Sequence, residues 1–216
     1  LILPTFNEID ALKVILPRIK KSWVDEIIVI DSNSTDGTIE FCRKHGVSVY
    51  IQKTKGYGAA IREAVEIAKG KLIIEFPPDG NSIPEKIPEV VKKLKEGYDL
   101  VIASRYKDGA KSYDDDTLTK FGNGFFTKLT NLIFGSSYTD CLVGFRGYRK
   151  SLFKKLGMTA EGLVWPLQIS IRFYKCGSKV TEIPADEPKR IGGGRKMRPF
   201  KTGIDICMML LKERLR

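Results

Sequence analysis

Four stretches of this chain place a charged side chain just beyond an apolar run. Glu8 follows Leu3-Pro4-Thr5-Phe6-Asn7. Asp31 follows Ile27-Ile28-Val29-Ile30 and leads into Ser32-Asn33-Ser34-Thr35-Asp36-Gly37-Thr38. Asp79 follows Leu72-Ile73-Ile74-Glu75-Phe76 and two prolines. Arg105 follows Val101-Ile102-Ala103-Ser104. Singly, such residues are ordinary turn and cap formers. If the runs are strands of one sheet, three carboxylates and a guanidinium meet on one edge. Carboxylates accept hydrogen bonds and a guanidinium donates them, so their convergence on one edge would make that edge a candidate site.

The elements that would position them alternate along the first half. Leu1 to Leu3, Glu26 to Ile30, Val47 to Ile51, Leu72 to Phe76 and Leu100 to Ala103 read as strands. Helices are expected between them. Asn7 caps the first, which Pro17 should kink or shorten; Ser34 or Thr35 caps the second, running toward Gly46; Tyr57 to Lys69 and Pro84 to Glu96 form the next two. Apolar strands separated by helices imply a mostly parallel sheet covered on both sides, with ligands beyond the carboxyl ends of its strands. The second half is less regular. Lys107 to Thr117, with Asp114-Asp115-Asp116, reads as a mobile loop, and Leu118 to Ile133 as a helix. Leu142 to Tyr148 and Lys179 to Ile183 read as strands, with a helix from Trp165 to Tyr174. Ile191 to Lys196 is a Gly-rich basic loop. In the final helix, Ile204, Cys207, Met208, Leu211 and Leu215 share one face, leaving Lys201, Lys212, Arg214 and Arg216 for the other. No repeat or linker divides the chain, so residues 1–216 are expected to form one α/β domain.

Composition narrows the chemistry. The 216 residues are 42% hydrophobic and 29% charged, the proportions of a globular domain. The longest apolar runs are short, such as Cys207 to Leu211, whereas a bilayer-spanning helix needs about 20 residues. No signal peptide is visible, and Leu1 stands inside a strand pattern, which implies a natural N-terminus upstream. The only histidine, His45, excludes a multi-histidine metal site and reads as a solvated helix end. Cys42, Cys141, Cys176 and Cys207 form no C-x-x-C pair and are expected to be reduced, mostly buried cytosolic thiols. The net charge of +11 suits nucleic acid, anionic lipid headgroups or phosphorylated small molecules. Aromatic residues do not cluster into a base-stacking platform, so a nucleic-acid partner is not expected. Gly56-x-Gly58 is not a dinucleotide fingerprint, because position 61 is Ile.

Leu3 to Glu8, Ile30 to Thr38 and Pro78-Asp79-Gly80-Asn81 resemble the successive nucleotide-binding motifs of family 2 glycosyltransferases with a GT-A fold. Ala103 to Tyr106, Asp140 to Arg149 and Arg190 to Lys196 resemble the branch that contains the dolichol-phosphate mannose synthases. The resemblance spans nearly the whole chain. It implies a GT-A nucleotide-diphospho-sugar transferase fold and inverting transfer of a hexose from a nucleotide diphosphate sugar to an acceptor, here a polyprenyl phosphate.

The same resemblance assigns roles. Pro4, Phe6 and Glu8 would border the nucleotide, and Asp31 would accept a base N–H. Asp79, Gly80 and Asn81 would lie at the diphosphate, with Asp79 and Asn81 holding Mg²⁺ or Mn²⁺. Arg190 and Lys196 would close over the diphosphate. Arg105 and Lys120 would bind the acceptor phosphate. Asp140 is the remaining carboxylate on the acceptor side, or it orients Arg146. A lipid phosphate, largely ionised at neutral pH, needs cations rather than a general base.

Two positions depart from the family pattern. Asn81 replaces the second metal-binding Asp, which should weaken cation binding. Gln168 stands where relatives carry an acidic residue. Both raise an alternative, a nucleotide-sugar-binding protein of the same fold with weak or lost transferase activity. The stretch from Met197, apolar on one face with a basic flank, has the chemistry of an interfacial helix on an anionic membrane and equally that of an ordinary amphipathic helix packed on the core or on a partner. The expected location is cytoplasmic, peripheral at the membrane.

Overall fold

The computed structural model describes residues 1–194 and 197–216. Seven strands form one sheet: β1 (Ile2–Thr5), β2 (Ile28–Asp31), β3 (Ser48–Ile51), β4 (Leu72–Glu75), β5 (Leu100–Ser104), β6 (Arg146–Arg149) and β7 (Val180–Pro184). Their order is β3-β2-β1-β4-β6-β5-β7. All pairings are parallel except those of β6, which runs antiparallel between β4 and β5. β2 and β5 are buried along their whole length, as strands covered on both faces must be.

The helices are α1 (Ile9–Ile15), α2 (Thr38–Lys44), α3 (Tyr57–Ile67), α4 (Ile87–Lys95), α5 (Thr117–Phe134), α6 (Lys150–Leu156), α7 (Trp165–Lys175) and α8 (Pro199–Leu215). α3 packs on β1 and β2 through Ala60, Ile61, Ala64 and Val65. α4 lies close over β6, where a side chain at Gly147 would collide with Leu94 at 2.9 Å. α5 and α8 pack side by side, and α7, buried from Trp165 to Phe173, supports them.

Several local expectations are corrected. α1 starts one residue later than an Asn7 cap requires. Asn7 takes a left-handed φ of 55° and Glu8 occupies the cap position. The exposed N–H groups there are satisfied from the next loop: Glu8 N donates to Thr38 Oγ1 (3.0 Å) and Ile9 N to Asp36 Oδ2 (3.1 Å). Ser34 and Thr35 do not cap α2; Gly37 does, at φ 95°. Pro17 acts as expected, converting the end of α1 to a 3₁₀ turn over Leu16–Arg18. α6 had no counterpart in the sequence reading. His45 is an exposed helix end with Nδ1 2.8 Å from Phe41 O. Cys42 and Cys141 are buried, while Cys176 and Cys207 are exposed.

Candidate active site

Two cavities open at the carboxyl end of the sheet and meet. The first is walled by Pro4, Phe6 and Glu8 after β1, Ser32 and Asn33 after β2, and Gln52 after β3. The second is walled by Asn81, Arg105, Asp115, Asn123 and Glu187. Tyr57, Pro77, Asp79 and Arg190 line both. Loops after separate strands thus bring Glu8, Asp79, Arg105 and Arg190 to one place.

At the junction, Arg190 Nη2 is 2.8 Å from Asp79 Oδ2. The backbone locks this pair, since Ile191 N donates to Asp79 O (3.0 Å). Gly80 makes the approach possible. It has φ 86°, and a Cβ there would lie 2.6 Å from the Ile191 side chain. Burial pushes the Asp79 carboxyl up to about 6 against the pull of Arg190. Among the described residues, Arg190 Nε, which faces Asp114 Oδ2 at 4.0 Å, and the Tyr57 hydroxyl are buried without a hydrogen-bond partner.

On the other side, Arg105 is enclosed by carboxylates. It donates to Asp140 through Nε (2.6 Å) and Nη2 (3.1 Å). Its Nη1 faces Glu187 at 3.5 Å and Asp115 at 3.7 Å. Burial works against the guanidinium charge, yet Asp140 and Glu187 raise its pKa well above the ordinary value. Asp140 therefore orients Arg105 and not Arg146, whose guanidinium goes to Val143 O, Pro166 O and Ser170 Oγ. Arg146 also stands opposite Glu75 across the β4–β6 ladder, 4.0 Å away.

The acidic stretch expected to be a free loop is tied down. Asp114 accepts from Arg190 N (3.1 Å), Asp115 accepts from Asn123 Nδ2 (2.9 Å) and from the Tyr106 hydroxyl, and Ser112 donates to Glu187. Two expected ligand residues lie elsewhere. Asp31 is fully buried and accepts from Thr5 Oγ1, Ser34 N and Ser34 Oγ, so it shapes its loop, and Ser32, Asn33 and Gln52 line the cavity in its place. Lys120 is exposed on α5 and outside the cavity wall, to which Thr119 and Asn123 contribute. Gln168 is buried away from the cavity. It accepts from Thr159 N and Ala160 N and donates to Glu213 Oε1 (2.7 Å), so an acid there would lose that last bond. Lys196 lies outside the described residues.

Glu187, Tyr57 and Asn123 line the site without standing in any of the sequence motifs. Glu187 was signalled only by its place three residues before Arg190. Within the second cavity it accepts from Asn81 Nδ2 (3.2 Å) while facing Arg105, and burial raises its pKa.

The groups facing the junction suit a hard divalent cation: the Asp79 carboxylate, the Asn81 amide oxygen and the Glu187 carboxylate are all oxygen donors. Among the described residues no cluster of three or more His, Cys, Asp or Glu forms a cage. This donor set fits an ion that completes its shell with substrate phosphate and water.

Comparison with known proteins agrees with this geometry. Residues 1–157 match the model of glycosyl transferase family 2. A dolichyl-phosphate hexose transferase of Haloferax volcanii is 29% identical over 221 residues, covering 100% of this chain and 95% of that protein. An undecaprenyl-phosphate mannosyltransferase of Micrococcus luteus is 27% identical, covering 91% of this chain and 86% of its own. Among solved structures, glucosyl-3-phosphoglycerate synthase from Mycobacterium tuberculosis, in complex with Mn²⁺, UDP and phosphoglyceric acid, superposes with a TM-score of 0.76. It shares 19% identity and covers 99% of this chain and 77% of that one. The fold is GT-A, and the chain is a glycosyltransferase belonging to family 2.

Proposed function

We propose that this domain, residues 1–216, transfers a hexose from a nucleotide diphosphate sugar to a polyprenyl phosphate, with inversion at the anomeric carbon. The observation that carries the reading is the Asp79–Arg190 junction, where a guanidinium and a carboxylate meet between two cavities. Relatives that are similar over nearly the whole chain and bear lipid-phosphate acceptors in their names support the acceptor class.

In this reading Pro4, Phe6 and Glu8 hold the nucleoside, and Arg190 Nε donates to the diphosphate. Asp79 and Asn81, with Gly80 giving close approach, hold Mg²⁺ or Mn²⁺. The cation neutralises the departing nucleoside diphosphate when bound. Arg105, aimed by Asp140, receives the acceptor phosphate in the second cavity. A phosphate oxygen attacks the anomeric carbon as the bond to the diphosphate breaks, and an ionised acceptor has no proton to remove. A lipid acceptor places the enzyme peripherally on the cytoplasmic membrane face; no described helix is long and apolar enough to cross it.

The test is nucleoside diphosphate release that requires a polyprenyl phosphate and falls on the order of 10²-fold or more in Asp79→Ala. Full turnover by that variant would overturn the cation assignment. The replacement at Asn81 favours one other reading, donor binding without transfer. Saturable nucleotide binding with no transfer to any acceptor would establish it.

A further inference from the structure

The segment between β5 and α5 touches both cavities and has no part in the chemistry above. Arg105 before it and Thr119 after it are buried, but no apolar residue from Lys107 to Leu118 is. Asp108 and Gly109 turn it back at φ 47° and 86°. It then runs as a strap beside the chain that leads to Arg190. Ser112 forms a parallel bridge with Glu187, Tyr113 N donates to Glu187 O (2.8 Å), and Lys111 N donates to Asp186 Oδ1 (2.8 Å). Hydrogen bonds and ion pairs hold this strap, without a buried apolar anchor, which is the character of a segment that opens at low cost.

At the end of the strap, two consecutive acids face two different arginines. Asp114 Oδ1 accepts from Arg190 N (3.1 Å), and its Oδ2 is 4.0 Å from Arg190 Nε. Asp115 Oδ2 is 3.7 Å from Arg105 Nη1 and accepts from Asn123 Nδ2 (2.9 Å) and the Tyr106 hydroxyl. Both acids stand in the wall of the second cavity. The other nitrogens of Arg105, Nε and Nη2, are committed to Asp140, so Nη1 is the one a ligand would reach. Glu187 also faces Nη1, at 3.5 Å, and Ser112 of the strap donates to it. Adjacent Cα atoms are fixed about 3.8 Å apart, so Asp114 cannot retreat far without drawing Asp115 along.

We propose that Asp114 and Asp115 are positioning residues that couple the two arginines, so that an anion taking Arg190 frees Arg105 for a second anion. The identity of the anions rests on the proposed reaction: a nucleoside diphosphate at Arg190 and a prenyl phosphate at Arg105. A diphosphate at Arg190 repels Asp114 and competes for its partner. The strap then shifts, and Asp115 leaves Nη1. While Asp115 is in place, an incoming phosphate meets a like charge; once it has left, the phosphate meets an open guanidinium nitrogen. Direct repulsion between two bound anions has the opposite sign, so favourable coupling needs such a connection. Linkage makes the effect reciprocal, and a prenyl phosphate should tighten nucleotide binding by the same factor.

The probes are UDP, GDP and geranyl phosphate, a water-soluble prenyl phosphate, with Mn²⁺ present throughout. In calorimetric titration of the full chain, the better-binding nucleotide at saturation should tighten geranyl phosphate binding on the order of tenfold. Asp115→Asn keeps an acceptor for Asn123 and the Tyr106 hydroxyl. That variant should bind geranyl phosphate without nucleotide as tightly as the saturated wild type does, taking the ratio to about one. Asp114→Asn should lose the ratio too, while binding nucleotide more tightly. In turnover, KM for geranyl phosphate should become independent of donor concentration in both variants, whereas a merely structural role would lower kcat and keep that dependence. Amide hydrogen exchange over residues 106–116 of the wild-type chain should quicken when nucleotide binds. A wild-type ratio of one or less would overturn the proposal, as would an undiminished ratio in both variants or exchange that is unchanged or slowed. Quickened exchange in a chain that never binds geranyl phosphate would support release of the strap and sink the acceptor assignment alone.

Discussion

Arg105 and Asp140 form a two-point pair, Nε to Oδ2 at 2.6 Å and Nη2 to Oδ1 at 3.1 Å, with the Asp140 side chain wholly buried. The pair fixes the guanidinium plane and leaves Nη1 toward the cavity. Asp140 Oδ1 also accepts from Leu142 N and Val143 N, so it organises the loop as well. Asp140→Asn should destabilise the fold by roughly 1.5–3 kcal/mol, since it weakens a charge-assisted two-point pair while Glu187 and Asp115 still face the guanidinium. Arg105→Lys should not restore transfer, because an ammonium cannot reproduce the fork. Denaturant midpoints and turnover of both variants check this, and a fully active Lys variant would show that only charge matters.

Asn81 and Glu187 are joined by a 3.2 Å hydrogen bond. Asn81→Asp replaces it with two like charges at that separation, relieved when a cation arrives. The variant should be less stable without cation, and its Mn²⁺ affinity should rise on the order of tenfold. Calorimetric titration with Mn²⁺ measures it; unchanged affinity would place the ion elsewhere.

Gly80→Ala should leave the fold intact but separate the Arg190 loop from Asp79. The added methyl would sit 2.6 Å from Ile191, in a φ of 86° that costs an L-residue about 1–2 kcal/mol. Circular dichroism should be unchanged while stabilisation by nucleoside diphosphates in thermal shift is lost. Retained stabilisation would mean that the loop does not contact the diphosphate.

Glu75 ties pH to stability. Burial raises its pKa from 4.5 to about 8, and its Oε1 accepts from Trp165 Nε1 (2.6 Å). Between those values the folded protein keeps a proton that the unfolded chain releases. Its contribution is therefore full below 4.5 and is lost as pH rises to about 8. Glu75→Gln keeps an acceptor for Trp165 without a titrating charge, so urea midpoints at about pH 5 and about pH 8 should differ less than in the unsubstituted protein. An equal difference in both proteins would assign the pH dependence to other groups.

The linear chain determined the strand-and-helix alternation, the strand ends that carry Glu8, Asp79 and Arg105, and the family motifs. These depend on local periodicity, apolar runs and turn residues, all readable without knowing neighbours. Tertiary structure decided what needed partners. An alternating stretch does not encode direction, so the reversal of β6 was not legible. A carboxylate type does not reveal its donors, so Asp31 reads as a ligand residue until Thr5 and Ser34 are seen to occupy it, and Asp140 until Arg105 arrives. An amphipathic pattern defines a face but not what covers it. Only the packing of α7 against α8 turned Ile206 and Met209 inward and left the Ile204 face open, because burial belongs to the assembled layers rather than to any one helix.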